Sequence, residues 1–160
     1  MSCIAEWVSA VATAITAVGV VFAYQQLRVS RKIAQAQFED DLAKEYRDLT
    51  SGISTKALLG ETLSKTEYAK SFDELYRYVD LTNEQVSLRQ RGRISENVWW
   101  FWLSGIKSNL HLPAFHRAWI EIKLKCNSFQ ELRRLEDEDF KTDPIKWGAP
   151  VEEDITNIMK

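Results

Sequence analysis

Arg89, Arg91 and Arg93 alternate with Gln90 and Gly92 near the middle of this 160-residue chain. Guanidinium groups hold phosphate through paired hydrogen bonds, so three of them at a helix end and its following turn are candidate anion ligands. The helix dipole also favours arginine at that place with no ligand at all. Lys107 and Arg117 are the further cations expected nearby. A second chemistry comes from Trp99-Trp100-Phe101-Trp102, because aromatic faces accept stacked bases. Four consecutive aromatics on a helix point around nearly its whole circumference, and one face cannot bury them all. Trp99 and Trp102 align with Leu103, Ile106 and Leu110 as a core face. Trp100 aligns with Ser104 and Lys107, and Phe101 with Gly105 and Ser108; this second set suits burial in a thick layer, subunit contact or ligand stacking. The candidate ligand-binding set is therefore Arg89, Arg91, Arg93, Trp100, Lys107 and Arg117, and the ligand class these residues suit is a nucleotide or single-stranded nucleic acid.

Signals for catalysis are absent. The chain has no phosphate-binding glycine loop, Walker motif, zinc-spaced cysteine pair or serine nucleophile elbow. His111, His116, Glu121 and Cys126 are metal-binding types, but histidines five apart do not share a helical face, and ordinary core or surface histidine is the better reading. Asp40–Asp41 and Glu136–Asp139 sit in polar runs where water keeps carboxylates ordinary. No catalytic residue, metal or cofactor is expected. The two cysteines, Cys3 and Cys126, are far apart and are expected to be reduced.

These residues need a scaffold. A chain that is 45% hydrophobic and 28% charged can bury one core but not two ordinary domains. Its net charge of −2 suggests neither a general nucleic-acid binder nor a disordered acidic chain. The charge is polarised, however: residues 28–134 carry eighteen bases and fourteen acids, and residues 136–160 carry three bases and eight acids. The acidic end reads as a solubilising tail, or alternatively as a cover for the basic surface.

No charged side chain occurs between Glu6 and Arg28. Trp7–Leu27 is 21 residues, about 31 Å of helix and enough for a bilayer core. Trp7 and Tyr24 stand near its ends, and Arg28, Arg31 and Lys32 follow it, which predicts a single transmembrane helix with a cytoplasmic C-terminus. A soluble core helix is one alternative. A cleavable signal peptide is another, but it would need a basic leader and a small-residue cleavage site, and Met1–Ala5 and Ala23-Tyr24-Gln25 are poor matches. The span is weakly apolar: five Val, one Ile and one Phe contribute only about −3 kcal/mol, opposed by Ser9, Thr13, Thr16 and Gly19. Ala10 with Ala14, and Gly19 with Ala23, have the spacing that lets helices approach closely, although such pairs are common in membrane helices. Ser9, Thr13, Thr16, Val20, Leu27, Ala34 and Phe38 share one meridian, so hydroxyls followed by an apolar collar are candidate pore-lining groups.

The rest predicts an all-α chain. The span continues into a helical stalk with Leu27, Ala34, Phe38, Leu42 and Leu49 on one face. Gly52 breaks it, a short helix is expected at Lys56–Leu63, and a longer one begins near Thr66 with Leu75, Tyr76, Val79 and Val86 inward. Gly92 is placed to end that helix in a left-handed cap, and Ser95 to cap the next, Glu96 to about Leu110. Pro113 opens another helix through Trp119 and Ile122, and Phe129 to about Leu135 forms the last. The expected divisions are a transmembrane segment at 1–27, a stalk at 28–52, a compact cytoplasmic helical domain at 53–135 and an acidic tail at 136–160.

Asn83-Glu84-Gln85, Leu88-Arg89, Gly92-Arg93-Ile94, Trp99–Trp102, Gly105-Ile106, Pro113 and Trp119 together resemble a group of small bacterial one-span proteins with cytoplasmic helical domains. With the span, the resemblance covers roughly three quarters of the chain. The layout also resembles the membrane effectors of Hailong anti-phage systems. That resemblance implies a channel in the bacterial inner membrane, held silent by a DNA oligomer that a partner nucleotidyltransferase makes. Independently, the small-residue span, the stalk face and the off-core aromatics Trp100 and Phe101 each offer a self-contact surface, and a homo-oligomer of three to five chains is expected. A one-span scaffold that recruits a protein partner is the other class of function compatible with these residues.

Overall fold

The computed structural model describes the backbone of residues 2–148 and, within it, the side chains of Trp7, Thr16 and residues 18–148. Among the described residues there are six α-helices and no strand: α1 (Ser2–Ser51), α2 (Thr55–Leu58), α3 (Lys65–Gln90), α4 (Glu96–Leu110), α5 (Pro113–Lys125) and α6 (Gln130–Asp137). A 3₁₀ turn, Pro144–Trp147, follows. The chain divides into a unit of residues 1–38 and a unit of residues 39–160.

The first unit lies on α1, and among its described residues the large apolar side chains from Val18 to Ile33, with Trp7, are uncovered. Trp7, Val20, Phe22 and Leu27 are 70%, 63%, 67% and 58% exposed. Among the described residues, no helix is long and apolar enough to cross a membrane. The expected bilayer segment therefore has no support from helix apolarity, in keeping with its many Ala, Thr and Ser positions.

In the second unit α3 is central. Helices α5 and α6 and the 3₁₀ turn pack on it, while α2 and α4 pack on α5. Leu75, Val86, Trp99, Ala118, Leu132 and Leu135 are completely buried. Of the stalk expected at 28–52, residues 39–51 fall in this unit, with Leu42 and Leu49 buried one heptad apart. The acidic tail expected from residue 136 is likewise folded at its start, since Asp143 and Pro144 are buried.

Local chemistry explains most helix ends. Ser64 Oγ accepts the Glu67 N–H at 3.3 Å, and Glu67 Oε2 accepts the Ser64 N–H at 2.9 Å, a reciprocal cap that starts α3. Helix α2 is shorter than the expected Lys56–Leu63, because the chain turns at Gly60 with φ +80° and the Glu61 N–H closes onto the Lys56 carbonyl at 2.9 Å. At the end of α3, the Arg93 N–H bonds the Leu88 carbonyl and the Gly92 N–H bonds that of Arg89, both at 2.9 Å, with Gly92 at φ +70°. Pro113 occupies the first turn of α5.

Two helix starts are satisfied from a distance. Ser95 stands at the N-cap of α4 as expected, but its hydroxyl makes no capping bond. Its own N–H donates instead to Glu39 Oε1 at 2.5 Å. Phe129, at the N-cap of α6, has φ +66° and no capping group, and Asn83 Oδ1 on α3 accepts the Leu132 N–H at 3.0 Å in its place. Phe129 is held there by edge contacts to Tyr76 and Trp119, with ring centroids 5.6 and 6.4 Å away.

Candidate functional site

The six candidate ligand residues do not form one surface cluster. Arg89 is 5% exposed and turned inward. Its Nε donates to Asp143 Oδ1 at 2.8 Å, Nη2 to Asp143 Oδ2 at 2.5 Å, and Nη1 to the Ile94 carbonyl at 2.7 Å. A guanidinium so occupied has no fork left to offer phosphate, and the assignment of Arg89 to an anion site is corrected to a structural ion pair. Burial pushes the Asp143 carboxyl up, but Arg89 and the Ile145 N–H outweigh it and hold the group below the usual range. Arg91 in the turn and Arg93 just after it are exposed.

Lys107 and Arg117 are engaged on different helices. Lys107 Nζ lies 3.8 Å from Asp139 Oδ1 and 5.9 Å from the Phe140 ring centroid. The Arg117 guanidinium lies 3.7 Å from the Tyr68 ring centroid. Tyr68 in turn donates to Glu121 Oε2 at 2.8 Å, and burial followed by that bond pushes its phenol up to about 12. His111 Nδ1 lies 2.6 Å from the Lys107 carbonyl oxygen and His116 is exposed. Among the described residues no group of three His, Cys, Asp or Glu could hold a metal ion.

The aromatic run divides as helical geometry requires. Trp99 is fully buried, Trp102 is half-buried, and Trp100 and Phe101 are 44% and 79% exposed. Phe101 and Trp102 border a cavity of about 490 Å³ between the C-terminal part of α1, α3 and α4. Tyr46 and Arg47 line it from α1, and Tyr78 and Gln85 from α3. The volume falls within the range of small-ligand pockets. Of the candidate ligand residues, none lines this space. Its small-residue walls, Ala43 on α1 and Ser104, Gly105 and Ser108 on α4, carry no motif, although the four-residue spacing of Ser104 and Ser108 places them on one face of α4.

Of the candidate pore residues, the side chains of Ser9 and Thr13 lie outside the described residues. Thr16, Val20 and Leu27 are exposed on α1, and Phe38 is half-buried. Cys126 is a free thiol, while the Cys3 side chain lies outside the described residues.

Compared with protein-family models, curated proteins and solved structures, the chain matches none. Its class is all-α, defined by its own helices.

Proposed function

We propose that this chain is a self-assembling one-span membrane effector, in which α1 carries the bilayer segment and the helical unit controls a conduction path between copies. The observation that supports it is the uncovered apolar surface of the first half of α1, where Val18, Val20, Val21, Phe22 and Leu27 are all more than half exposed. An exposed apolar row of this length needs lipid or another protein against it. The weak apolarity of Trp7–Leu27 favours shared insertion: one copy gains only about −3 kcal/mol, and close packing through Ala10, Ala14, Gly19 and Ala23 adds to it.

Arg28, Arg31 and Lys32 orient the C-terminal side toward the cytoplasm of a bacterial inner membrane. In a ring of three to five copies, Ser9, Thr13 and Thr16 face the path, and Val20, Leu27 and Phe38 form its apolar constriction. Control by a nucleotide or single-stranded DNA oligomer from a partner nucleotidyltransferase, as the resemblance to Hailong effectors implies, uses the exposed Arg91 and Arg93.

Carbonate washing, a C-terminal topology reporter, mass in mild detergents and bilayer recording test this reading. Retention in membranes, a cytoplasmic C-terminus, an oligomeric mass and a current raised by Phe38→Ser are expected. Release by carbonate, or a monomer that passes no current, rejects it. The scaffold reading draws on a different observation, the exposure of Leu59 (72%) and Leu124 (83%) on the helical unit. Membrane retention with no current and loss of a protein partner on Leu124→Asp would favour it.

A further inference from the structure

The cavity beside α4 combines three features that specify a ligand independently of any membrane role. First, its walls are aromatic: Tyr46, Tyr78, Phe101 and Trp102 face it from three helices. Flat rings are best matched by a flat, π-bearing guest. Second, Tyr78 is 1% exposed, borders the cavity, and its hydroxyl has no hydrogen-bond partner. Thr82 and Asn109 stand beside it without bonding geometry, and Asn109 Nδ2 donates instead to Tyr46 Oη at 3.2 Å. Burial drives the Tyr78 phenol above its ordinary range, so it keeps its proton and can donate. A buried donor left unmade is costly, and a guest that accepts from it removes the cost. Third, Arg47 lines the same cavity, is exposed, and has no ion-pair partner among the described residues. Gly105 leaves the space open, since a Cβ there would meet nothing within 4 Å.

We propose that this cavity binds a small planar aromatic acid, with its ring among Tyr46, Phe101 and Trp102, an oxygen acceptor on the Tyr78 hydroxyl and its anionic group on Arg47. The aromatic walls select a flat ring, Tyr78 selects an acceptor at the buried end, and Arg47 selects the charge. Planar neutral molecules fit the walls but forgo the charge-assisted bond, which makes acids the preferred class.

The test uses the full chain in detergent micelles and three probes titrated by calorimetry, with protein-free micelles subtracted. The probes are 6-hydroxy-2-naphthoate, which has both polar groups, 2-naphthoate, which lacks the hydroxyl, and 6-hydroxy-2-naphthamide, which lacks the charge. The first should bind about tenfold more tightly than the amide, and Arg47→Gln should abolish that difference. Tyr78→Phe should weaken 6-hydroxy-2-naphthoate about fivefold and leave 2-naphthoate unchanged. Gly105→Leu, which fills the space, and Ala43→Leu from the opposite wall should each abolish binding of all three while helical content by circular dichroism stays that of the parent. If a filled variant unfolds, the Arg47→Gln and Tyr78→Phe patterns decide alone. Equal affinity for acid and amide in the parent, binding that survives both fillings, or no binding at millimolar probe would overturn the assignment.

Discussion

Arg89 and Asp143, 54 positions apart, close a buried two-pronged ion pair that ties the end of α3 to the segment after α6. Removing one partner strands a charge in the core. Asp143→Ala should cost about 3–5 kcal/mol of unfolding free energy in urea titrations, whereas the paired change Arg89→Met with Asp143→Leu should cost much less. Equal losses in the two variants would show that packing, not charge, holds this joint.

Acid should loosen the start of α3. Glu67 accepts from Lys56 at 2.8 Å and from the Ser64 N–H, and these bonds lower its carboxyl from 4.5 to about 2. A carboxyl lowered in the folded state contributes stability above its unfolded pKa, and that contribution is lost as pH falls from about 4.5 through 2. Asp143, also lowered, adds to the same acid side. The melting temperature of Glu67→Gln should therefore fall less than that of the parent between pH 5 and about 2. Parallel pH profiles would remove Glu67 from the account.

Tyr78→Phe should stabilise the protein that has no ligand bound by about 1 kcal/mol, because it deletes a buried hydroxyl without a partner and keeps the ring packed against Phe115 at 4.8 Å. Chemical denaturation measures it. A loss of similar size would mean the hydroxyl is satisfied.

Two glycines should respond with opposite sign. Gly92, at φ +70°, forces any other residue into the left-handed region, and Gly92→Ala should destabilise by about 1 kcal/mol. Gly105 lies inside α4 with open space around it, and Gly105→Ala should stabilise by about 0.5–1 kcal/mol. Thermal unfolding of both variants checks the pair; a common sign would contradict it.

Helix identity was legible from neighbouring residues. Glu96–Leu110 and the Pro113 start follow from periodicity and cap chemistry, and Gly92 ends α3 where its backbone freedom is required. The Ser64–Glu67 cap, which starts α3 at Lys65 and so just before the expected Thr66, is equally local.

Other contacts carried no such local mark. Asp143 belongs to an acidic stretch that charge counting assigns to solvent, yet it neutralises an arginine whose spacing with Arg91 and Arg93 suggests an anion ligand. Asn83 caps α6 across 49 positions, and Glu39 bonds the N–H of Ser95 across 56. The cavity arises because Ala43 and Gly105, unremarkable in their own helices, both line the space between those helices. Periodicity and caps act within a few residues, so the order of side chains along a helix specifies them. Partnerships between helices depend on which faces meet once the loops have closed and the core has packed, and that geometry alone sent Arg89 inward and left Arg47 at an open site.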